Sequence, residues 1–117
     1  MNLPEQVAST ERSSKSPSGE YILVVVEETK EDGVYQSFQI LDSKENLVFT
    51  PQESYTARSM NFFLWDDDGR VWVYSGDLGT FFWESASPVE WIKYSYVKSD
   101  VSAPDFLKEI RPQWHEK

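Results

Sequence analysis

The chain has 117 residues, with 20 Asp and Glu against 11 Lys and Arg, a formal net charge of −9, no cysteine and one histidine. That length describes one domain. The missing thiols exclude disulfides, thiol catalysis and thiolate zinc sites, and a single histidine close to the C-terminus nearly excludes multi-histidine metal sites and histidine-based triads. The acidic excess argues against nucleic acid and anionic lipid, which call for a Lys/Arg surface, and favours a basic partner or simply solubility.

Five Trp, six Tyr and seven Phe supply the apolar area for a core. No apolar run approaches the length of about 18 residues that a spanning helix needs, so no membrane insertion is expected. The N-terminus has no apolar h-region and reads as lacking a signal peptide. The compartment stays open between the cytoplasm and, if a leader or anchor precedes residue 1, the periplasm or another extracytoplasmic space.

Residues 1–19 are rich in Ser, Pro and charge, without periodicity, and are expected to form a flexible arm. Tyr21 to Val26 is rich in β-branched residues and apolar on both alternating faces, which predicts a central strand buried on both faces. Lys30-Glu31-Asp32-Gly33 makes a turn and Val34 to Leu41 the hairpin partner, with Val34, Phe38 and Ile40 on one side. Leu47 to Thr50 is a short strand stopped by Pro51, and Gln52 to Ser59 a loop. Strands follow at Met60 to Asp66, Arg70 to Ser75, Phe81 to Glu84 and Glu90 to Val97, separated by Asp67-Asp68-Gly69, Gly76-Asp77-Leu78-Gly79 and Ser85 to Val89.

The period then changes. Ser102-Ala103-Pro104-Asp105 fits a capping box, Phe106, Leu107 and Ile110 give an apolar stripe, and Pro112 stops the helix. The expected fold is mostly β: a single antiparallel meander of about seven short strands, as a sandwich, curled sheet or small barrel, with one short C-terminal helix. The β-rich domain spans 20–112, with the helix near 103–111 and a tail at 113–117 that holds His115.

Ser16-Pro17-Ser18-Gly19-Glu20-Tyr21 is echoed 50 residues later by Asp66-Asp67-Asp68-Gly69-Arg70-Val71: a polar turn, glycine, a charged residue, then a strand. The two stretches, 16–25 and 66–75, resemble strand starts of TolB-type β-propeller blades, which often carry a Ser-Pro-Asp-Gly-Lys-like turn. The resemblance implies local strand geometry and no activity.

Residues 61–90 are the chemically informative stretch, with six carboxylates against the single cation Arg70. On strand 70–75, Arg70, Trp72 and Tyr74 share one face, and Val71, Val73 and Ser75 the other. A helix or second sheet covering the Trp72–Tyr74 stripe is the ordinary outcome. An exposed stripe would be a platform for a partner or ligand. Asp66-Asp67-Asp68 lacks the alternating spacing of a calcium loop, and Gly76 to Thr80 lacks the lysine and following helix of a phosphate cradle. Asp66, Asp77 and Glu84 are the candidate pair members for a carboxylate hydrolase, although nothing in their spacing indicates a separation. No metal or cofactor is expected.

Three functions are compatible with these features, the first of them favoured. The first is a small acidic, non-catalytic protein-binding module, such as an inhibitor or immunity-type protein of a bacterial conflict system. It would bind a basic partner through Trp65, Asp67, Asp68, Arg70, Trp72, Tyr74 and Asp77. The second is a carbohydrate-binding or cell-envelope module that stacks sugars on Trp72, Tyr74, Trp83 and Trp91. The third is an accessory domain with no ligand of its own. An open strand edge would also support a homodimer.

Overall fold

The computed structural model describes residues 3–116. Ten strands form two antiparallel sheets: β1 Val7–Ala8, β2 Ser14–Lys15, β3 Tyr21–Lys30, β4 Gly33–Asp42, β5 Leu47–Phe49, β6 Tyr55–Thr56, β7 Asn61–Trp65, β8 Val71–Ser75, β9 Gly79–Ser87 and β10 Glu90–Ser95. A single turn of 3-10 helix at Tyr96–Lys98 and two short helices, α1 Asp105–Ile110 and α2 Pro112–His115, complete the chain. One sheet runs β2-β3-β4-β5, with β6 pairing to β4, and the other β1-β7-β8-β9-β10. The mostly-β expectation with a short C-terminal helix holds. The single meander becomes two four-stranded meanders that pack face to face.

Alternation explains the packing. On the first sheet Leu23 lies opposite Ile40 and Val25 opposite Phe38, all four pointing inward and buried. On the second, Phe63, Trp65, Val71, Val73 and Trp83 face them, and with Ala8, Tyr55 and Trp91 they make one cluster. Trp83 meets Phe38 edge-on with ring centroids 4.9 Å apart. The Trp65 indole N–H donates to the Ser14 carbonyl at 2.8 Å, so this buried polar atom also joins the two sheets. Lys93 on β10 and Glu53 in the loop after β5 form an ion pair of 2.8 Å where the edges of the two sheets meet.

The opposite face of β7-β8-β9 carries Leu64, Trp72, Tyr74 and Phe82. There they pack with Val7 and with Tyr96, Ala103, Phe106 and Leu107 of the C-terminal segment. This makes a third layer, so every residue of β8 is buried. Trp72 stacks on Phe82, centroids 4.7 Å apart, and Phe106 meets Phe62 edge-on at 5.2 Å.

Several expectations change. Strand 21–26 is buried on one face only: Leu23 and Val25 are inside, while Ile22, Val24 and Val26 are partly covered, because no layer lies beyond the first sheet. Val34 shares the inward parity of Phe38 but is exposed, since the β3–β4 hairpin runs past the core. Residues 3–19 of the expected arm are held in the fold. Val7 and Ala8 pair with β7, Ser14 and Lys15 with β3, and the Arg12 guanidinium donates to the carbonyls of Leu3, Pro4 and Val7. Residues 1 and 2 lie outside the described residues, as does residue 117. Pro104, not Ser102, flanks the start of α1, and no side chain caps it.

The tail is also built in. His115 is buried, with Nδ1 2.9 Å from the Arg111 carbonyl and 3.1 Å from that of Leu107. Both partners are acceptors, so Nδ1 carries the proton and Nε2 accepts the Thr80 hydroxyl at 2.8 Å. The ring sits between Tyr74 and Tyr96, each 5.5 Å away, and ties both helices to the second sheet. Burial lowers the His115 pKa from its ordinary value, and the carbonyls of Arg111 and Leu107 act the other way.

Candidate functional site: an acidic crest between two clefts

The turn joining β7 to β8 is organised by one carboxylate. Asp66 Oδ1 accepts the backbone N–H groups of Asp68 at 2.9 Å and Arg70 at 2.8 Å. Its Oδ2 accepts the Arg70 guanidinium at 2.9 Å and the Trp72 indole N–H at 2.8 Å. Four donors occupy the acceptor sites of one carboxylate, and its side chain is only 10% exposed. An aspartate fits here because its short side chain reaches its own backbone two and four residues on. Gly69 completes the turn with φ +84°, a conformation that favours glycine.

Arg70 is held on three sides, by Asp66, by Asp68 at 3.1 Å and by Glu84 at 3.7 Å, and lies over the Phe82 ring. Burial opposes its charge, but the carboxylates of Asp66, Glu84 and Asp68 outweigh that and raise its pKa above the ordinary value. Arg70 is therefore a neutralised structural cation. Asp67 and Asp68 are left exposed at the tip of the turn.

This tip is the common wall of two clefts. The first, of about 480 Å³, lies between the turn and the segment leading into α1, and is lined by Gln6, Asp66, Asp67, Asp68, Arg70, residues 101–105 and Lys108. The second, of about 220 Å³, lies on the other side and is lined by Ser16, Pro17, Ser18, Tyr21, Asp67, Asp68, Gly69, Ser85 and Trp91. The turn at 16–19 that faces Asp67 and Asp68 across the second cleft is the stretch that echoes 66–69 in the sequence. It too ends in a glycine with positive φ, Gly19 at +80°.

The structure divides the expected site residues into two groups. Asp67, Asp68 and Arg70 come together at the crest. Trp65, Trp72, Tyr74 and Trp83 are buried, and none presents a ring face to solvent. Trp65 and Trp83 lie between the sheets; Trp72 and Tyr74 lie under the C-terminal helices. The Trp72–Tyr74 stripe is therefore covered, and as a platform it is corrected. Trp91 is also buried, but its ring lines the second cleft. Asp77 is exposed in the turn after β8, at the end of that strand opposite Asp67 and Asp68, and so does not join them. The same separation parts Asp66 from Asp77 as a carboxylate pair.

Sequence reasoning missed Tyr21, Ser16 and Ser18 as neighbours of the acidic turn. The signal for them was the 50-residue echo, which identified two like turns without showing that they face each other. It also missed Trp114, which is exposed on α2. Among the described residues, no group of three or more His, Asp and Glu is placed to hold a metal ion, and no helix is long and apolar enough to cross a membrane. Compared with known proteins, the chain gives no significant match to a family model, to a curated protein or to a solved structure.

Proposed function

We propose that this protein is a small non-catalytic binding module that takes a basic protein partner on its acidic crest, in the manner of an inhibitor or immunity-type protein. The observation that carries the reading is that Asp67 and Asp68, both exposed, line both clefts. A partner with cationic side chains on one loop can straddle such a ridge and place charge on either side of it. The net charge of −9 adds long-range steering toward a basic surface. The anchoring role assigned by sequence to Trp65, Trp72 and Tyr74 passes to the crest carboxylates, because those rings are committed to the core. A sugar-stacking function has less support: Trp72, Tyr74 and Trp83 are buried in the two cores, and Trp91, itself 6% exposed, borders the second cleft.

The test is capture from host lysate and secretions by the immobilised chain, eluted with rising salt. The reading expects a protein released by salt and lost when Asp67→Lys and Asp68→Lys are combined. Capture that survives the double charge reversal would refute it.

A further inference from the structure

We infer that the second cleft is a socket for one arginine side chain of the partner. The inference rests on the reading above and gives it a contact point. The cleft combines three features that suit a guanidinium. Asp67 and Asp68 stand on one wall, and no cationic side chain lines the cleft; Asp68 gives one oxygen to Arg70 outside it, and Asp67 is exposed. Ser18, exposed on the facing turn and braced by the buried Ser16 hydroxyl, offers a side-chain oxygen. Tyr21 and Trp91, packed edge-on with centroids 5.2 Å apart, supply aromatic surface for a flat cation. Carboxylates beside an aromatic ring favour arginine over lysine, whose ammonium is a compact, strongly hydrated point charge.

Size points the same way. A volume of about 220 Å³ is below the roughly 300–1,000 Å³ of pockets that enclose cofactor-sized ligands. It takes a single long side chain and no folded element.

A second observation is independent of charge. Trp91 is 6% exposed, and its indole N–H is buried with no acceptor. Trp65 and Trp72, by contrast, each donate to an oxygen at 2.8 Å. Buried donors are as a rule paired, so an unpaired one on a cleft-lining ring marks a place for an incoming oxygen. An arginine residue brings both halves of what is missing: donors for the carboxylates and a backbone carbonyl for the indole. The N–H is sealed from water as the cleft stands, so engaging it requires the rings packed on Trp91 to rearrange locally.

The experiment is a titration of the full ¹⁵N-labelled chain with acetyl-Gly-Arg-Gly-amide, following the Trp91 indole signal. Trp91→Phe assigns that signal, and the exposed Ser85→Arg plugs the cleft without touching the core. The arginine peptide is expected to shift the signal saturably. The citrulline peptide, its neutral counterpart, is expected to bind at least tenfold more weakly. The combined Asp67→Asn and Asp68→Asn variant should lose at least tenfold, and Ser85→Arg should abolish the shift. No shift, equal binding of the citrulline peptide, or saturation by N-acetylglucosamine instead would overturn the socket. A silent peptide beside salt-dependent capture that Asp67→Lys and Asp68→Lys abolish would remove the socket and leave the acidic crest standing. Peptide binding beside capture that ignores those charges would remove the crest reading and leave an arginine site.

Discussion

The turns at 16–19 and 66–69 share a backbone and differ in chemistry. Each ends in a left-handed glycine and feeds a strand, with Gly19 bonded to the Ser16 carbonyl and Gly69 to that of Asp66. At the first position, Ser16 Oγ accepts one backbone N–H, from Tyr21 at 3.1 Å, and bonds to Ser18. Asp66 in the same place takes four donors, two of them side chains that reach into the outer layer. The glycine sets the path of the chain. The residue three before it decides whether the turn is a local closure or an anchor for the layer above.

Truncating the two first-position residues should separate these roles most widely. Asp66→Ala strands the Trp72 indole N–H and the Arg70 guanidinium, and is expected to cost about 3 kcal/mol. Ser16→Ala loses one backbone acceptor and should cost about 1 kcal/mol. Urea unfolding of both variants decides it; equal losses would mean that Asp66 does nothing beyond closing its turn.

The glycines should behave alike. A Cβ at Gly69 meets nothing within 4 Å, and one at Gly19 only the Lys15 side chain at 4.0 Å, so the penalty is that of the backbone conformation. Gly19→Ala and Gly69→Ala are each expected to cost about 1 kcal/mol. A clear difference between the two melting temperatures would break the equivalence of the turns.

A pH series tests whether the outer layer is tied down at its far end as well. The folded state holds His115 with a lowered pKa, so it binds fewer protons than the unfolded chain below the ordinary value of about 6.5. Its contribution is complete above that pH and is lost as pH falls toward the lowered value. Stability measured from pH 7.5 to 5.5 should decline more in the wild type than in His115→Gln. Parallel curves would remove the histidine from the account.

The smallest effect on stability belongs to the crest. Asp67→Asn, at an exposed position, should change the unfolding free energy by less than about 0.5 kcal/mol. On the proposed reading its measurable consequence lies in partner binding.

Much of the second sheet was legible from alternation. Phe63, Trp65, Val71 and Val73 face inward on a period of two, and the Asp-Gly turn between them sits where the sequence puts it. Residues 3–19 were not legible, because their strands are two residues long. Their order comes from edges supplied by β7 and β3, and from Arg12 reaching the carbonyls of Leu3, Pro4 and Val7. His115 escaped for a related reason: a four-residue helix has no periodicity to read, and its burial depends on Thr80, 35 positions away.

The candidate site divides along the same line. The acidic character of Asp67 and Asp68, and their place on a turn, follow from residue type and neighbours alone. The exposure of an aromatic side chain does not, because a strand pattern names which rings share a face and never what packs against it. Local sequence settled the strands, the turns and the charge. The tertiary fold decided that α1 and α2 cover Trp72 and Tyr74, and that two turns 50 residues apart enclose one cleft. Those outcomes depend on burying apolar area between layers, and each layer is completed by chain that lies far away in sequence.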